Sequence, residues 1–166
     1  MSNVPKDRAI VLESLHDADV AIIRHWPSYG SEVIDLDYAL RQGGWLDKFP
    51  ESAATRRFGA WHDGTLVGFS LLTDIADGSA EFYVAVHPQL LGKGYGRWLT
   101  RATVREGCER LGLRRIYLKV RDWHHAAAAL YQSVGFTLTG TTVQEIRGQA
   151  VRFVTMEIQC GRGAQR

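Results

Sequence analysis

The chain has 166 residues, of which 45% are hydrophobic and 23% charged, and its formal net charge is +2. This composition is typical of one globular domain with a substantial core and excludes a largely disordered chain. No apolar run reaches the roughly 18 residues of a membrane span, and residues 1–8 lack the layout of a secretory signal, so we expect a cytoplasmic protein. Cys108 and Cys160 show neither a metal-ligand spacing nor a disulfide framework, which suits a reducing compartment.

The first third of the chain predicts one strand and two helices. A short strand covers 9–14, and Asp17 then caps a helix. A second helix runs over about 32–42 and ends at a pair of glycines. The segment 45–53 has no clear periodicity and is predicted to be a loop.

The rest of the chain alternates hairpins with a strand–helix–strand unit. Asp63 and Gly64 tolerate the positive φ angles of a tight hairpin turn, so they join two strands within 56–72. The remaining predicted elements are a strand over 81–86, a helix over 97–111, a strand over 114–120, a helix over 125–134, and strands over 136–145 and 151–158. The order β-α-α-β-β-β-α-β-α-β-β contains no repeat or linker and predicts a single α/β (α+β) domain, with a mixed sheet flanked by helices.

Three glycines, Gly92, Gly94 and Gly96, alternate with other residues at the start of the third predicted helix. A helix start offers unpaired backbone N–H groups and the positive end of the helix dipole, so bare backbone leading into it can hold a phosphate. The alternative is that the glycines serve a tight turn between strand and helix.

Spacing separates the known phosphate-binding motifs. The P-loop pattern GxxxxGK followed by Ser or Thr does not fit. The dinucleotide fingerprint GxGxxG fits at Gly92 and Gly94, but Arg97 stands at its third glycine position. Asp122 follows the next strand and could supply the acid that this fingerprint expects, so dinucleotide binding stays open as an alternative.

Two segments resemble sequence patterns of the GNAT family of N-acetyltransferases. LGKGYG (91–96) is similar to the family's loop Arg/Gln-x-x-Gly-x-Gly/Ala, and HHAAAALYQSVGF (124–136) is similar to Asn-x-x-Ala-x-x-Leu-Tyr-x-x-x-Gly-Phe. The resemblance covers about 81–136 well and the flanks in element order. It implies one N-acetyltransferase domain over 1–166, a mostly antiparallel sheet, and a coenzyme-binding core over about 80–136. It also implies acetyl-CoA as co-substrate and an amine as acceptor.

The same resemblance implies a set of coenzyme-binding residues. Free backbone N–H groups on the strand before the loop would bind the thioester oxygen and the pantetheine, and Val84 and Val86 occupy those positions. Leu91 stands where the family has Arg or Gln, and His124 where it has Asn. The full set is Val84, Val86, Leu91, Gly92, Lys93, Gly94, Tyr95, Gly96, Arg97 and His124.

Acetyl transfer to an amine also needs a proton acceptor for the amine and a proton for the departing thiolate. The register of the second pattern implies that Tyr131 is the general acid, and a phenol with a pKa of about 10 suits a thiolate of comparable basicity. Glu81, on the strand that approaches the thioester, is the candidate base. Lys119 stands where some family members carry a glutamate, and Tyr83 or water remain options for the base.

Charge is distributed unevenly along the chain. The stretch 26–51 has a net charge of −3 and contains Trp26, Tyr29, Tyr38 and Trp45, whereas 87–121 has a net charge of +7. We expect the basic stretch to attract the coenzyme phosphates, and the acidic one to attract a small cationic amine or a peptide or protein N-terminus.

Other partners receive no support from the sequence. The histidines have no metal-ligand spacing, the basic stretch lacks nucleic-acid motifs, and no segment suits a membrane, so no metal, nucleic acid or membrane partner is expected. A homodimer stays open. The alternative function is a domain that binds acetyl-CoA as a sensor or interaction module without turnover.

Overall fold

The computed structural model describes residues 9–161. A seven-stranded sheet has the order β1-β2-β3-β4-β5-β7-β6. Its strands are β1 (Ile10–Ser14), β2 (Arg56–His62), β3 (Thr65–Ala76), β4 (Ser79–Val86), β5 (Arg115–Arg121), β6 (Thr137–Ile146) and β7 (Gln149–Gln159). Neighbouring strands are antiparallel except β4 and β5, which are parallel. The predicted mixed, mostly antiparallel sheet is confirmed.

Helices cover both faces of this sheet. The α-helices are α1 (Asp17–Arg24), α2 (Trp45–Lys48), α3 (Tyr95–Arg105) and α4 (His125–Val134), and two 3₁₀ helices cover Ser31–Leu40 and Pro88–Leu90. A π-helical turn, Glu106–Arg110, extends α3. No helix among residues 9–161 is long and apolar enough to cross a membrane.

Two local predictions differ from the structure. The helix predicted over 32–42 is the 3₁₀ helix Ser31–Leu40, in which Val33 departs from helical geometry with φ −128°. β-branched and short acidic side chains in this segment favour the α-helix weakly, which explains the irregularity. The predicted loop over 45–53 begins instead with the short helix α2.

The tight turn at Asp63 and Gly64 is confirmed. Their φ angles are +53° and +78°, and the turn joins β2 to β3. β3 then runs through the middle of the protein, because all residues from Leu66 to Thr73 are buried. A strand buried on both faces must be covered by helices on both sides.

Each face of the sheet has its own core. On one face, Leu71 and Phe69 pack with residues of α1, the 3₁₀ helix Ser31–Leu40 and α2. On the other face, Leu72 and Phe82 pack with residues of α3, its π-helical turn and α4. The strand pair β4 and β5 therefore lies between two helical layers, where a cleft in the sheet is accessible from both.

The prediction for the two cysteines is wrong. Cys108 and Cys160, which are 52 positions apart in the sequence, form a disulfide with Cα atoms 5.3 Å apart. The π-helical turn after α3 and the end of β7 both flank the start of β5, and the Cys160 N–H donates to the Arg114 carbonyl at 2.8 Å. Two isolated cysteines carry no spacing signal, so their proximity depends on the tertiary fold.

Candidate functional site

The sheet opens between β4 and β5. Their parallel pairing covers Ser79–Glu81 against Arg115–Tyr117, and the ladder ends there. Beyond it the strands line a cavity of about 870 Å³, with Val84 and Val86 on one wall and Leu118 and Val120 on the other. Unpaired strand backbone inside a protein needs hydrogen-bond partners, so the cleft is suited to a ligand that runs between the two strands.

Two independent hydrogen bonds show which backbone groups of β4 face this cleft. The His87 N–H donates to the Val67 carbonyl, which continues the β3–β4 ladder, so alternation puts the backbone groups of Tyr83 and Ala85 toward β3. The Arg115 N–H donates to the Gly78 carbonyl, so the even-numbered residues of β4 face β5. Both observations direct the N–H groups of Val84 and Val86 into the cleft.

Tyr29 lines the cavity and contacts the end of β4. Its buried hydroxyl donates to the Val86 carbonyl at 2.7 Å, and burial raises the tyrosine pKa far above its ordinary value. This contact could not be predicted from the sequence, because it joins residues 57 positions apart. The bond satisfies the Val86 carbonyl and leaves its N–H for a ligand.

The segment 91–96, here called the glycine loop, borders the same cavity. Gly92 and Gly94 have φ angles of +75° and +94°, and Gly94 is the N-cap of α3. Gly96 lies in the first turn, where an added Cβ would be 3.4 Å from Leu130 and 3.6 Å from Val86. All three glycines line the cavity, so the N-terminus of α3 faces it with little side-chain obstruction.

The predicted loop side chains divide into two groups. Leu91, 47% exposed, and Arg97 line the cavity. Lys93 and Tyr95 lie outside the set of lining residues; the Tyr95 hydroxyl lies 2.6 Å from His62 Nδ1, on the side of β2. Tyr95 therefore holds the start of α3 against the sheet, and only its backbone remains for a ligand.

Tyr131 and His124 approach the cleft from α4. The Tyr131 ring packs edge-on against Phe82 and Phe136, at 6.3 and 6.0 Å between ring centroids, and burial raises the pKa of its hydroxyl. His124 stacks on Trp123 at 5.0 Å, and burial lowers its pKa, which favours the neutral ring. Both residues line the cavity.

Glu81 lies at the closed end of the cleft, where the β4–β5 ladder stops. Its side chain is buried, and its carboxylate lies 3.2 Å from Lys119 Nζ on β5. Burial raises the pKa of Glu81, and Lys119 opposes that rise. Lys119, which stands at the position of a glutamate in some relatives, is thus the partner of a carboxylate supplied by β4.

The acidic side chains of the stretch 26–51 do not line the cavity. Asp37 binds Arg41 at 2.9 Å, Asp47 binds Arg24, and Glu51 accepts from the Arg57 N–H at 3.1 Å. None of the five acids in the stretch lines the cavity. Asp37, Asp47 and Glu51 instead stabilise the segment that covers the sheet.

Aromatic side chains of the same stretch do line the cavity. Tyr38, Trp45 and Phe49 lie along it beside Tyr83, whose ring centroid is 4.9 Å from that of Trp45 and 5.0 Å from that of Phe49. Trp26 instead packs in the core against Phe69 at 6.4 Å. Among residues 9–161, no group of His, Cys, Asp and Glu side chains is placed to hold a metal ion.

A model of the acetyltransferase (GNAT) family matches residues 21–136. The chain belongs to this family. The match includes the second half of α1 and the 3₁₀ helix Ser31–Leu40 as well as the two segments that carried the resemblance, so the GNAT assignment is confirmed.

Individual relatives of this GNAT protein act on different amines according to their names. The spermidine N(1)-acetyltransferase of Escherichia coli K12 is 26% identical over 137 residues, which cover 80% of this chain and 71% of the relative. The N-alpha-acetyltransferase RimI of Mycobacterium tuberculosis is 31% identical over 127 residues, 69% of this chain and 78% of the relative.

A solved structure extends the comparison to nearly the whole chain. The spermidine/spermine N-acetyltransferase SpeG of Vibrio cholerae, a structure that contains manganese ions, matches with a TM-score of 0.74 and 26% identity. The match covers 95% of this chain and 96% of that one. The comparisons therefore establish an acetyl-CoA-dependent N-acetyltransferase.

Proposed function

We propose that the chain transfers the acetyl group of acetyl-CoA directly to a primary amine, either a small amine or the N-terminus of a peptide or protein. The observation that carries this proposal is the opening of the sheet after Glu81, which leaves the N–H groups of Val84 and Val86 directed into a cavity. A cleft of this kind suits an extended ligand with a polarised carbonyl at its end.

The residues of the cleft fit the chemical parts of acetyl-CoA. The N–H of Val84 or Val86 would stabilise negative charge on the thioester oxygen, because a fixed backbone donor needs no rearrangement as charge develops. The bare loop at Gly94 and Gly96 leads to the N-terminus of α3, which suits the pyrophosphate. Arg97, which lines the cavity nearby, would add a charged contact to phosphate.

Tyr131 is the proposed general acid. Its raised pKa keeps the hydroxyl protonated at neutral pH, and no hydrogen bond to another of the described residues 9–161 holds that proton. When the amine nitrogen bonds to the acetyl carbon, the carbon–sulfur bond breaks and the hydroxyl of Tyr131 protonates the sulfur. Such a transfer contributes about 10²–10⁴-fold to a rate.

Glu81 is the proposed base. Its raised pKa makes the carboxylate a better proton acceptor than an ordinary glutamate, while Lys119 stabilises the ionised form. It would receive the amine proton directly or through a water molecule, which leaves the nitrogen lone pair free to react. Both partners lie at the closed end of the cleft, so the acceptor must reach that end.

Release of free thiol from acetyl-CoA, measured over a panel of small amines, amino acids, polyamines and peptides, tests the proposal. We expect turnover with at least one amine, and we expect Tyr131→Phe to lower kcat about 10²–10⁴-fold while the Kd for acetyl-CoA stays within about twofold. A protein that binds acetyl-CoA but releases no thiol with any amine is a sensor instead. Tight binding of NAD or NADP in place of acetyl-CoA would contradict the proposal altogether.

A further inference from the structure

Arg121, the last residue of β5, carries a largely buried positive charge. Its side chain is 8% exposed and lines the cavity. No carboxylate of residues 9–161 forms an ion pair with it. Its nearest partners are the Asp35 carbonyl at 3.5 Å and the face of Phe153, 5.9 Å from the guanidinium carbon.

These contacts leave most of the guanidinium N–H groups without a hydrogen-bond partner among residues 9–161. A hydrogen bond of 3.5 Å is at the outer limit of useful geometry, and an arginine has five N–H donors. Arginine does not lose its proton in a protein, so it cannot escape the cost of burial by becoming neutral. A buried, unpaired guanidinium that borders a cavity indicates an anionic group in the ligand.

The position of Arg121 assigns this anion to the acceptor rather than to the coenzyme. Side chains alternate along β5, so Arg121 lies on the face of Lys119, which contacts Glu81, while Leu118 and Val120 pack toward α3 and α4. Its contact with Asp35 places it beneath the 3₁₀ helix Ser31–Leu40. That face carries the aromatic side chains that line the cavity, here called the aromatic wall (Tyr38, Trp45, Phe49 and Tyr83). The glycine loop and α3 are on the other side of the cleft.

The charges around the cavity agree with this assignment. The lining cations are Lys48, Arg97, Lys119 and Arg121, and the lining acids are Glu81 and Glu145. Lys48 forms no ion pair with a described residue, and Lys119 already neutralises Glu81. A polyamine would meet more positive than negative charge here, whereas a carboxylate would meet two unpaired cations.

We propose that the acceptor amine also carries a carboxylate, as a free amino acid does, and that Arg121 binds this carboxylate through two parallel N–H···O bonds. Lys48 attracts the same group from the cavity rim. The aromatic wall at Trp45 and Phe49 accommodates an apolar or aromatic side chain. This inference rests on the proposed function, since it names the substrate class of the same site.

Matched acceptors test the inference without altering the protein. Thiol release from acetyl-CoA is measured with phenylalanine, phenylalaninamide and phenethylamine, and with a second series based on leucine, its amide and its decarboxylated amine. We expect kcat/KM to be about tenfold to hundredfold higher for the amino acid than for its amide or its decarboxylated amine, because each of these lacks one charge-assisted hydrogen-bonded pair. Spermidine is expected to be a poor acceptor.

Variants of Arg121 locate the effect. Arg121→Gln should raise KM for the amino acid about tenfold or more, leave KM for the amide within about twofold, and leave the acetyl-CoA Kd unchanged. Arg121→Lys should recover part of the loss, because the charge is kept while the planar fork is not. Arg115→Gln is the control, since Arg115 lies on the same strand outside the cavity lining and pairs with Glu157 at 2.9 Å.

The outcomes separate the two proposals. Turnover of spermidine or neutral amines in preference to amino acids would overturn the carboxylate inference and leave the acetyltransferase proposal intact. An Arg121→Gln variant whose activity falls equally with all acceptors would have the same consequence. If none of the amines in either series or in the wider panel supports thiol release, both the proposed function and the inference are overturned.

Discussion

Gly94 is a position in the candidate coenzyme site where the backbone conformation favours glycine. Its φ of +94° lies in the left-handed region, and it is the N-cap of α3, beside the cavity. Gly94→Val places a β-branched side chain in this backbone conformation, at a cost of about 1–3 kcal/mol. For a domain of this size, that loss corresponds to a fall in Tm of about 2–12 °C.

The same substitution should also weaken coenzyme binding. Relaxing the strain moves the loop N–H groups, and losing one charge-assisted hydrogen bond of about 1.5–3 kcal/mol weakens binding about tenfold to hundredfold. Gly112→Val is the matched control, because Gly112 has φ +67°, borders open space and lies outside the cavity lining. Calorimetric titration with acetyl-CoA and thermal unfolding measure both effects. Equal affinities in the two variants, with equal losses of Tm, would refute the phosphate-loop reasoning.

Three further predictions follow from charge, pKa and connectivity. Because Glu81 must be ionised to accept a proton and burial raises its pKa, the acid limb of kcat/KM should lie above the ordinary glutamate range; Lys119→Met should move it higher, and Glu81→Gln should abolish it. Leu91→Arg should lower the Kd for acetyl-CoA at low salt, and a gain that survives 0.5 M salt would contradict the electrostatic explanation. Reduction of the Cys108–Cys160 disulfide should destabilise the fold by about 2–4 kcal/mol in denaturant titrations, and identical curves with and without reductant would show that the bond contributes nothing.

The sequence predicted the features that depend on local patterns. The hairpin at Asp63, the glycine loop before α3 and the helix that carries Tyr131 all have short-range signals, and the structure has them in the predicted order. A helix was predicted after Gly30, but not its 3₁₀ geometry. Its residues have weak and mixed conformational preferences, so packing on the sheet decides its form.

Features that depend on long-range contacts could not be predicted. The Cys108–Cys160 bond spans 52 residues, and the bond from Tyr29 to Val86 spans 57. The acids of 26–51 were visible in the sequence, but the arginine partners of Asp37, Asp47 and Glu51 were not. The role of Arg121 could not be predicted either. A charged residue at the end of a buried strand is also typical of a strand end exposed to solvent.

The central claim is that β4 presents the N–H groups of Val84 and Val86 to acetyl-CoA in the opening beside β5. Amide hydrogen exchange, resolved by residue with and without saturating acetyl-CoA, tests it most directly. The prediction is that Val84 and Val86 become protected on binding, while Tyr83 and Ala85, bonded to β3 in both states, change little. Unchanged exchange at both valines under saturation would contradict the account.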